Sequence, residues 1–212
     1  MKNIPVKFRE YEFFLVNGIR TRKDIHGWCP RSEIWIEHRL GHATWFHYHA
    51  WASTRWMTQG KHLREMWEEL AKIKRPIIYV GHSNGCELFS RTVKERPEFK
   101  FAAAHLFAPA CHQDFEENGF NKALLDGQVG RIYAYCSKGD GTLKYWASFS
   151  RVAKCVGLGY DSMGYCGADK ETIHPGVKAK KLYVEEWYPD DYDHNDCYER
   201  DFEKFNVSML RV

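Results

Sequence analysis

The sequence predicts an α/β fold with a mostly parallel central sheet of about six strands flanked by helices. Three observations predict it. Short β-rich apolar runs recur along the chain and alternate with segments of helical periodicity, the pattern of βαβ units. One run, Ile77-Ile78-Tyr79-Val80, has no polar face and suits a strand covered by helices on both sides. It enters Gly81 directly and is followed by an amphipathic segment, so a strand, a turn and a helix stand in immediate succession.

Taken in order, residues 11 to 19 read as a first strand ending at the turn dipeptide Asn17-Gly18. Residues 20 to 42, with Gly27, Pro30 and Gly41, form an irregular connection with a short helix at 31 to 39. Residues 44 to 50 are rich in β-formers and make a second strand, followed by a loop to Gly60. From Lys61 to Lys74, Leu63, Met66, Trp67, Leu70 and Ile73 recur every three or four positions, which is one helix face, and Pro76 ends it. After the strand at 77 to 80, a helix from Asn84 to Glu95 carries Leu88, Phe89 and Val93 on one side and stops before Pro97. Phe101 to Ala108, Arg131 to Cys136 and Lys181 to Trp187 are the fourth, fifth and sixth strands. The stretch from Pro109 to Gly130 reads as a loop, and residues 143 to 178 as the larger insertion and the candidate lid. Asp196 to Leu210 closes the chain as a helix with Phe202, Phe205 and Met209 on one face.

A chain of 212 residues buries roughly 70% of its unfolded surface, enough for one core, and a single domain is expected. With 28% charged and 16% aromatic residues it is not disordered by composition. The net charge of +3 is spread among mixed signs, as in Lys61-His62-Leu63-Arg64-Glu65, so a nucleic-acid partner is not expected. The first ten residues lack the apolar core of a secretory signal, and the best apolar run, Phe101 to Cys111, is interrupted by His105 and Pro109. No membrane span and a cytoplasmic location are therefore expected. Seven cysteines form an odd set without a Cys-x-x-Cys pair, so neither a disulfide framework nor a zinc knuckle is written locally.

Gly81-His82-Ser83-Asn84-Gly85 fits Gly-x-Ser-x-Gly between a buried strand and an amphipathic helix. Chemistry at such a turn needs a strained backbone that lifts the serine hydroxyl above the sheet edge, and glycines that remove colliding side chains. The plainer reading is a turn in which Ser83 caps the helix. A serine hydroxyl is a weak nucleophile, so a histidine must take its proton and a carboxylate must fix the histidine's tautomer. Asp140, in Ser137-Lys138-Gly139-Asp140, lies on a turn at the end of the fifth strand; His194 lies in the polar loop after the sixth. His174 competes as the base but precedes the sixth strand, and Asp114 is the reserve acid.

Through these motifs residues 11 to 210 resemble the α/β-hydrolase family. The resemblance implies a serine esterase, lipase, thioesterase or amidase that forms an acyl-enzyme on Ser83, needs no cofactor and takes a small-molecule or lipid-like acyl substrate. It further implies an oxyanion hole of the backbone N–H groups of Asn84 and of Ile19 or Gly18. The first strand looks like the family's third, with the two leading strands absent, and Asn17-Gly18 stands where the family has His-Gly. A binding module that keeps the fold without the chemistry, and an acyltransferase, are the alternative readings.

His82 and Glu87 flank the serine and are candidates for shaping the site; Trp146 and Phe149 are candidates for lining an acyl pocket, with core packing the plainer role. His47 and His49 share a strand face and could join His42 or Asp114 around a metal, but scattered histidines are more often hydrogen-bonded, and no metal is expected.

Overall fold

The computed structural model describes residues 6–18, 27–47, 55–145 and 162–212. Six strands, β1 (Glu12–Val16), β2 (Ala43–Phe46), β3 (Ile77–His82), β4 (Phe101–Phe107), β5 (Ile132–Cys136) and β6 (Tyr183–Trp187), pair in the order β2-β1-β3-β4-β5-β6. Every pairing is parallel. The helices are α1 (Trp28–Arg39), α2 (Arg55–Lys72), α3 (Asn84–Glu95), α4 (Phe120–Leu125), α5 (141–145), α6 (Met163–Cys166), α7 (Pro175–Ala179), α8 (Asp196–Glu199) and α9 (Phe202–Ser208).

Alternation along the strands divides the core in two. Phe14 and Val16 of β1 join Tyr79, Leu106 and Ala134 under α2, α3, α4 and α7, through Leu63, Met66, Phe89, Phe120 and Val177. Phe13 and Leu15 join Ile78, Val80, Phe107 and Tyr135 under α1, α8 and α9, through Trp28, Ile36, Tyr198 and Phe205. Both faces being covered, the run at 77 to 80 is buried on both sides, as its lack of a polar face requires.

The chain leaves β1 for β2 on one side and then crosses to β3 on the other. The carboxyl ends of β1 and β3 therefore flank a topological switch point, where parallel sheets open a crevice for ligands. Asn17-Gly18 and Ser83 stand at those two ends.

Several expected boundaries move. The helix expected from Lys61 begins at Arg55, so Gly60 lies inside it; a mid-helix glycine costs about 1 kcal/mol, and the apolar stripe outweighs it. The short helix expected at 31 to 39 starts at Trp28, because Trp28 and Cys29 are buried anchors. Stretches expected to be loop contain α4, α6 and α7, each four to six residues long and too short to show a period. The closing helix is broken at Asp201, whose φ of −139° leaves the helical region and whose carboxylate accepts from Lys204 N at 3.1 Å to start α9. Of the candidate lid, residues 162 to 178 belong to the body: Met163, Ala168, Ile173 and Val177 are core residues, and Ser162 Oγ donates to the Pro109 carbonyl at 2.7 Å.

His105, the polar interruption in β4, is fully buried. Its ring stacks on Tyr133 at 4.8 Å, its Nε2–H donates to the Arg211 carbonyl at 3.1 Å, and its Nδ1 lies 3.1 Å from the Tyr135 hydroxyl. Burial drives its pKa down to about 3, so it stays neutral while tying the end of the chain to the sheet.

Candidate active site

Ser83 sits between β3 and α3 with φ 55° and ψ −120°, a conformation that a residue with a Cβ holds only under strain. The surrounding contacts impose it. The Ser83 N–H donates to the Phe107 carbonyl at 2.9 Å, and the Ser83 carbonyl accepts from Cys86 N at 3.0 Å and Ala110 N at 3.1 Å. Glycine is required on both sides, since a Cβ at Gly85 would fall 2.5 Å from the Val16 carbonyl oxygen and one at Gly81 2.9 Å from the Tyr79 ring. Gly18 meets the same constraint, because its Cβ would lie 2.8 Å from that of Ser83. The Ser83 side chain makes no cap bond to α3, which removes the reason a plain capping turn would have for a serine there.

Asp140 is 1% exposed and starts α5: its Oδ1 accepts from Leu143 N at 2.8 Å. Its Oδ2 meets His194 Nδ1 at 2.7 Å. A carboxylate can only accept, so the neutral ring carries its hydrogen on Nδ1 and leaves the Nε2 lone pair free to take a proton. Two loops are sewn together to make this contact. Ser137 Oγ donates to the Tyr192 carbonyl at 2.7 Å and accepts from Gly139 N at 3.1 Å. Asp193 Oδ1 accepts from Gly141 N at 3.1 Å and from His194 N at 2.7 Å. Any side chain at Gly139 would collide with the Asp190 carbonyl. Nothing in the local sequence announces Ser137, Gly139 or Asp193 in these roles, beyond their being small or short polar residues beside the two motifs.

His82, expected to touch substrate, is instead 2% exposed. Its Nε2–H donates to the His194 carbonyl at 3.0 Å, and its ring centroid lies 4.8 Å from that of His194. Tyr198 and Trp28 stand edge-on to it at 5.1 and 6.3 Å. Burial first, and His194 second, lower its pKa to about 3. Ser83 is thus the chain neighbour of a residue in contact with His194, although among the described residues its hydroxyl forms no hydrogen bond. Such bonds often tighten only when substrate binds.

The remaining candidates fall elsewhere. Asn84 begins α3 with its N–H beside Ser83, and Gly18 abuts Ser83 from β1. Ile19, His49, Trp146 and Phe149 lie outside the described residues. His174 is exposed and caps α7, its Nδ1 accepting from Gly176 N at 3.0 Å; Asp114 caps a turn by accepting from Glu116 N at 2.7 Å. Neither joins the Asp140–His194 pair. Glu87 is half-buried in the first turn of α3. Among the described residues no three His, Cys, Asp or Glu side chains converge as a metal site would need.

A family model described as serine hydrolase matches residues 13–126, a span that contains the Ser83 turn and more than half of the chain. The chain belongs to the serine hydrolase family. Three solved structures share the fold of this serine hydrolase. One is a proposed hydrolase from Agrobacterium vitis S4, 16% identical, with a TM-score of 0.55 over 100% of this chain and 91% of that one. Another is a proposed hydrolase of the alpha/beta superfamily from Xanthomonas campestris pv. campestris, 13% identical, with a TM-score of 0.53 over 94% and 95%. The third is the esterase domain of a Rhodothermus marinus protein, 12% identical, with a TM-score of 0.50 over 100% and 89%. No match is found among curated proteins. Family membership supports hydrolase activity, and the six-stranded parallel sheet is that of the α/β hydrolases. Among the described residues no helix is long and apolar enough to cross a membrane.

Proposed function

We propose that this serine hydrolase cleaves carboxylic esters or thioesters through an acyl-enzyme on Ser83, with His194 as general base and Asp140 as the group that orients it. The observation that carries the reading is the 2.7 Å bond from His194 Nδ1 to the buried Asp140, at the same edge of the sheet as a strained serine that does not cap its helix. Asp140 fixes the tautomer in which His194 Nε2 can accept a proton.

In the first step Ser83 Oγ attacks the substrate carbonyl carbon while its proton passes to His194 Nε2. The oxyanion is held by the backbone N–H of Asn84 and by a second donor from Gly18 or Ile19; one such donor is worth about 2.7–4 kcal/mol of barrier. The leaving alkoxide or thiolate takes the proton from His194. Water then attacks the acyl carbon, gives its proton to His194, and Ser83 departs with it, releasing the acid. No cofactor enters this sequence.

Steady-state turnover of a series of short-chain p-nitrophenyl esters and acyl thioesters tests the reading. Hydrolysis by the wild type that disappears in both Ser83→Ala and His194→Ala is expected. A wild-type protein inert towards the whole series, or a Ser83→Ala variant as active as wild type, would defeat it.

A further inference from the structure

Resting on the triad reading above, we propose that His82 is a positioning residue for His194, holding the general base by its backbone carbonyl and by its ring so that Nε2 stays directed at Ser83. His194 comes from a loop, not from a strand or helix, and its ring is held by one side-chain bond, to Asp140. The bond from His82 Nε2 to the His194 carbonyl, 3.0 Å, supplies a second anchor on the backbone. Because His82 immediately precedes Ser83, the element that presents the nucleophile also holds the base.

His82 cannot drift. It is 2% exposed and boxed by Trp28 and Tyr198, and Phe205 packs on both of those rings at 5.5 and 5.9 Å. Chemistry also favours this neighbour. During catalysis His194 becomes a cation, and the ring 4.8 Å away must not be one. Burial keeps His82 uncharged, so the developing imidazolium meets an aromatic ring and the Asp140 carboxylate, and no second cation. The bond to the His194 carbonyl fixes the tautomer, with hydrogen on Nε2 and a bare Nδ1, which is buried without a hydrogen-bond partner.

Three variants separate the anchor from mere packing. His82→Phe keeps the ring and loses the donor; deleting the unpartnered ring nitrogen offsets part of the cost of leaving the His194 carbonyl without its donor. His82→Gln keeps an amide N–H at the reach of Nε2 and loses the ring. His82→Asn carries an amide too short for the His194 carbonyl, and serves as the donor-less arm if the phenylalanine variant does not fold. The readouts are the rate of fluorophosphonate labelling, kcat and KM on one p-nitrophenyl ester, and the thermal midpoint. Loss of the anchor is expected to slow labelling and kcat about 10–100-fold, with KM within about twofold, because a misplacement of about 1 Å costs that much. His82→Gln is expected to recover to within about fivefold of wild type. Wild-type rates in a folded donor-less variant overturn the proposal, as does a loss in His82→Gln equal to that in the donor-less variants. If the probe does not label the wild type at Ser83, the triad falls and the role of His82 with it; if it does, and His82→Phe labels as fast, only the role of His82 falls.

Discussion

Replacing Asp140 by asparagine tests the pairing with His194 without disturbing its surroundings. The carboxylate has two tasks: Oδ1 accepts from Leu143 N at 2.8 Å to start α5, and Oδ2 accepts from His194 Nδ1 at 2.7 Å. An asparagine can keep the first bond with its carbonyl oxygen, which turns its NH2 towards His194. An amide N–H donates, so the ring must accept at Nδ1 and carry its own hydrogen on Nε2, where it can no longer take the proton of Ser83. A wrong tautomer in an intact geometry costs about 10⁴ in kcat, or about 5 kcal/mol of barrier. Stability should barely change, because the cap remains and a charged bond is exchanged for a neutral one; about 1 kcal/mol, or a midpoint lower by about 2–4 °C, is expected. Ester turnover and thermal melts of Asp140→Asn, with Asp140→Ala as the variant that also loses the cap, measure both. An asparagine variant that folds and works within tenfold of wild type would refute the reasoning.

Gly85→Ala is expected to lose about 1–3 kcal/mol in urea denaturation and to slow probe labelling, because its Cβ would press to 2.5 Å from the Val16 carbonyl and push α3 off the end of β1; an unchanged midpoint would contradict this. Ser137→Ala removes the donor to the Tyr192 carbonyl and the acceptor for Gly139 N, so about 1–3 kcal/mol of stability should go together with part of kcat; melts and turnover that both stay at wild type would count against the sewn loops. Acid should weaken the fold early. His82 and His105 have folded pKa values lowered to about 3, whereas the unfolded histidines titrate near 6.5, so the unfolded state binds protons first; the stability is present above about pH 6.5 and is lost as pH falls towards 3. Between pH 7.5 and 5.5 each contributes about 1.4 kcal/mol, about 3 kcal/mol together, and urea midpoints that stay flat over that interval would exclude two buried neutral histidines.

The sheet was legible because its inner strands, covered on both faces, are mostly apolar, and the run at 77 to 80 can be little else. The helices of four to six residues were not, since a single turn has no period to read, and Gly60 looked like a breaker although the stripe through Leu63, Met66 and Leu70 carries α2 across it. At the site, the turn around Ser83 is written in five consecutive residues, and contacts with Phe107, Ala110 and Val16 hold it in place. Asp140 and His194 are 54 positions apart and could be related only by the order of their motifs along the chain. Ser137 and Asp193 were invisible because a short polar side chain that binds a backbone group reports the path of a loop, which no residue pattern encodes. The direction of the His82 ring belongs to the same class: a side chain at a strand end faces whatever the neighbouring loops bring, and here they bring the carbonyl of His194.

Peptide mapping of the protein after treatment with a fluorophosphonate asks most directly whether the strained serine is the reacting atom's owner. A single adduct on the peptide that holds Ser83, absent from Ser83→Ala and formed far more slowly in His194→Ala, is the expected outcome. An adduct on another residue, or equal labelling of the alanine variant at 83, would contradict the account.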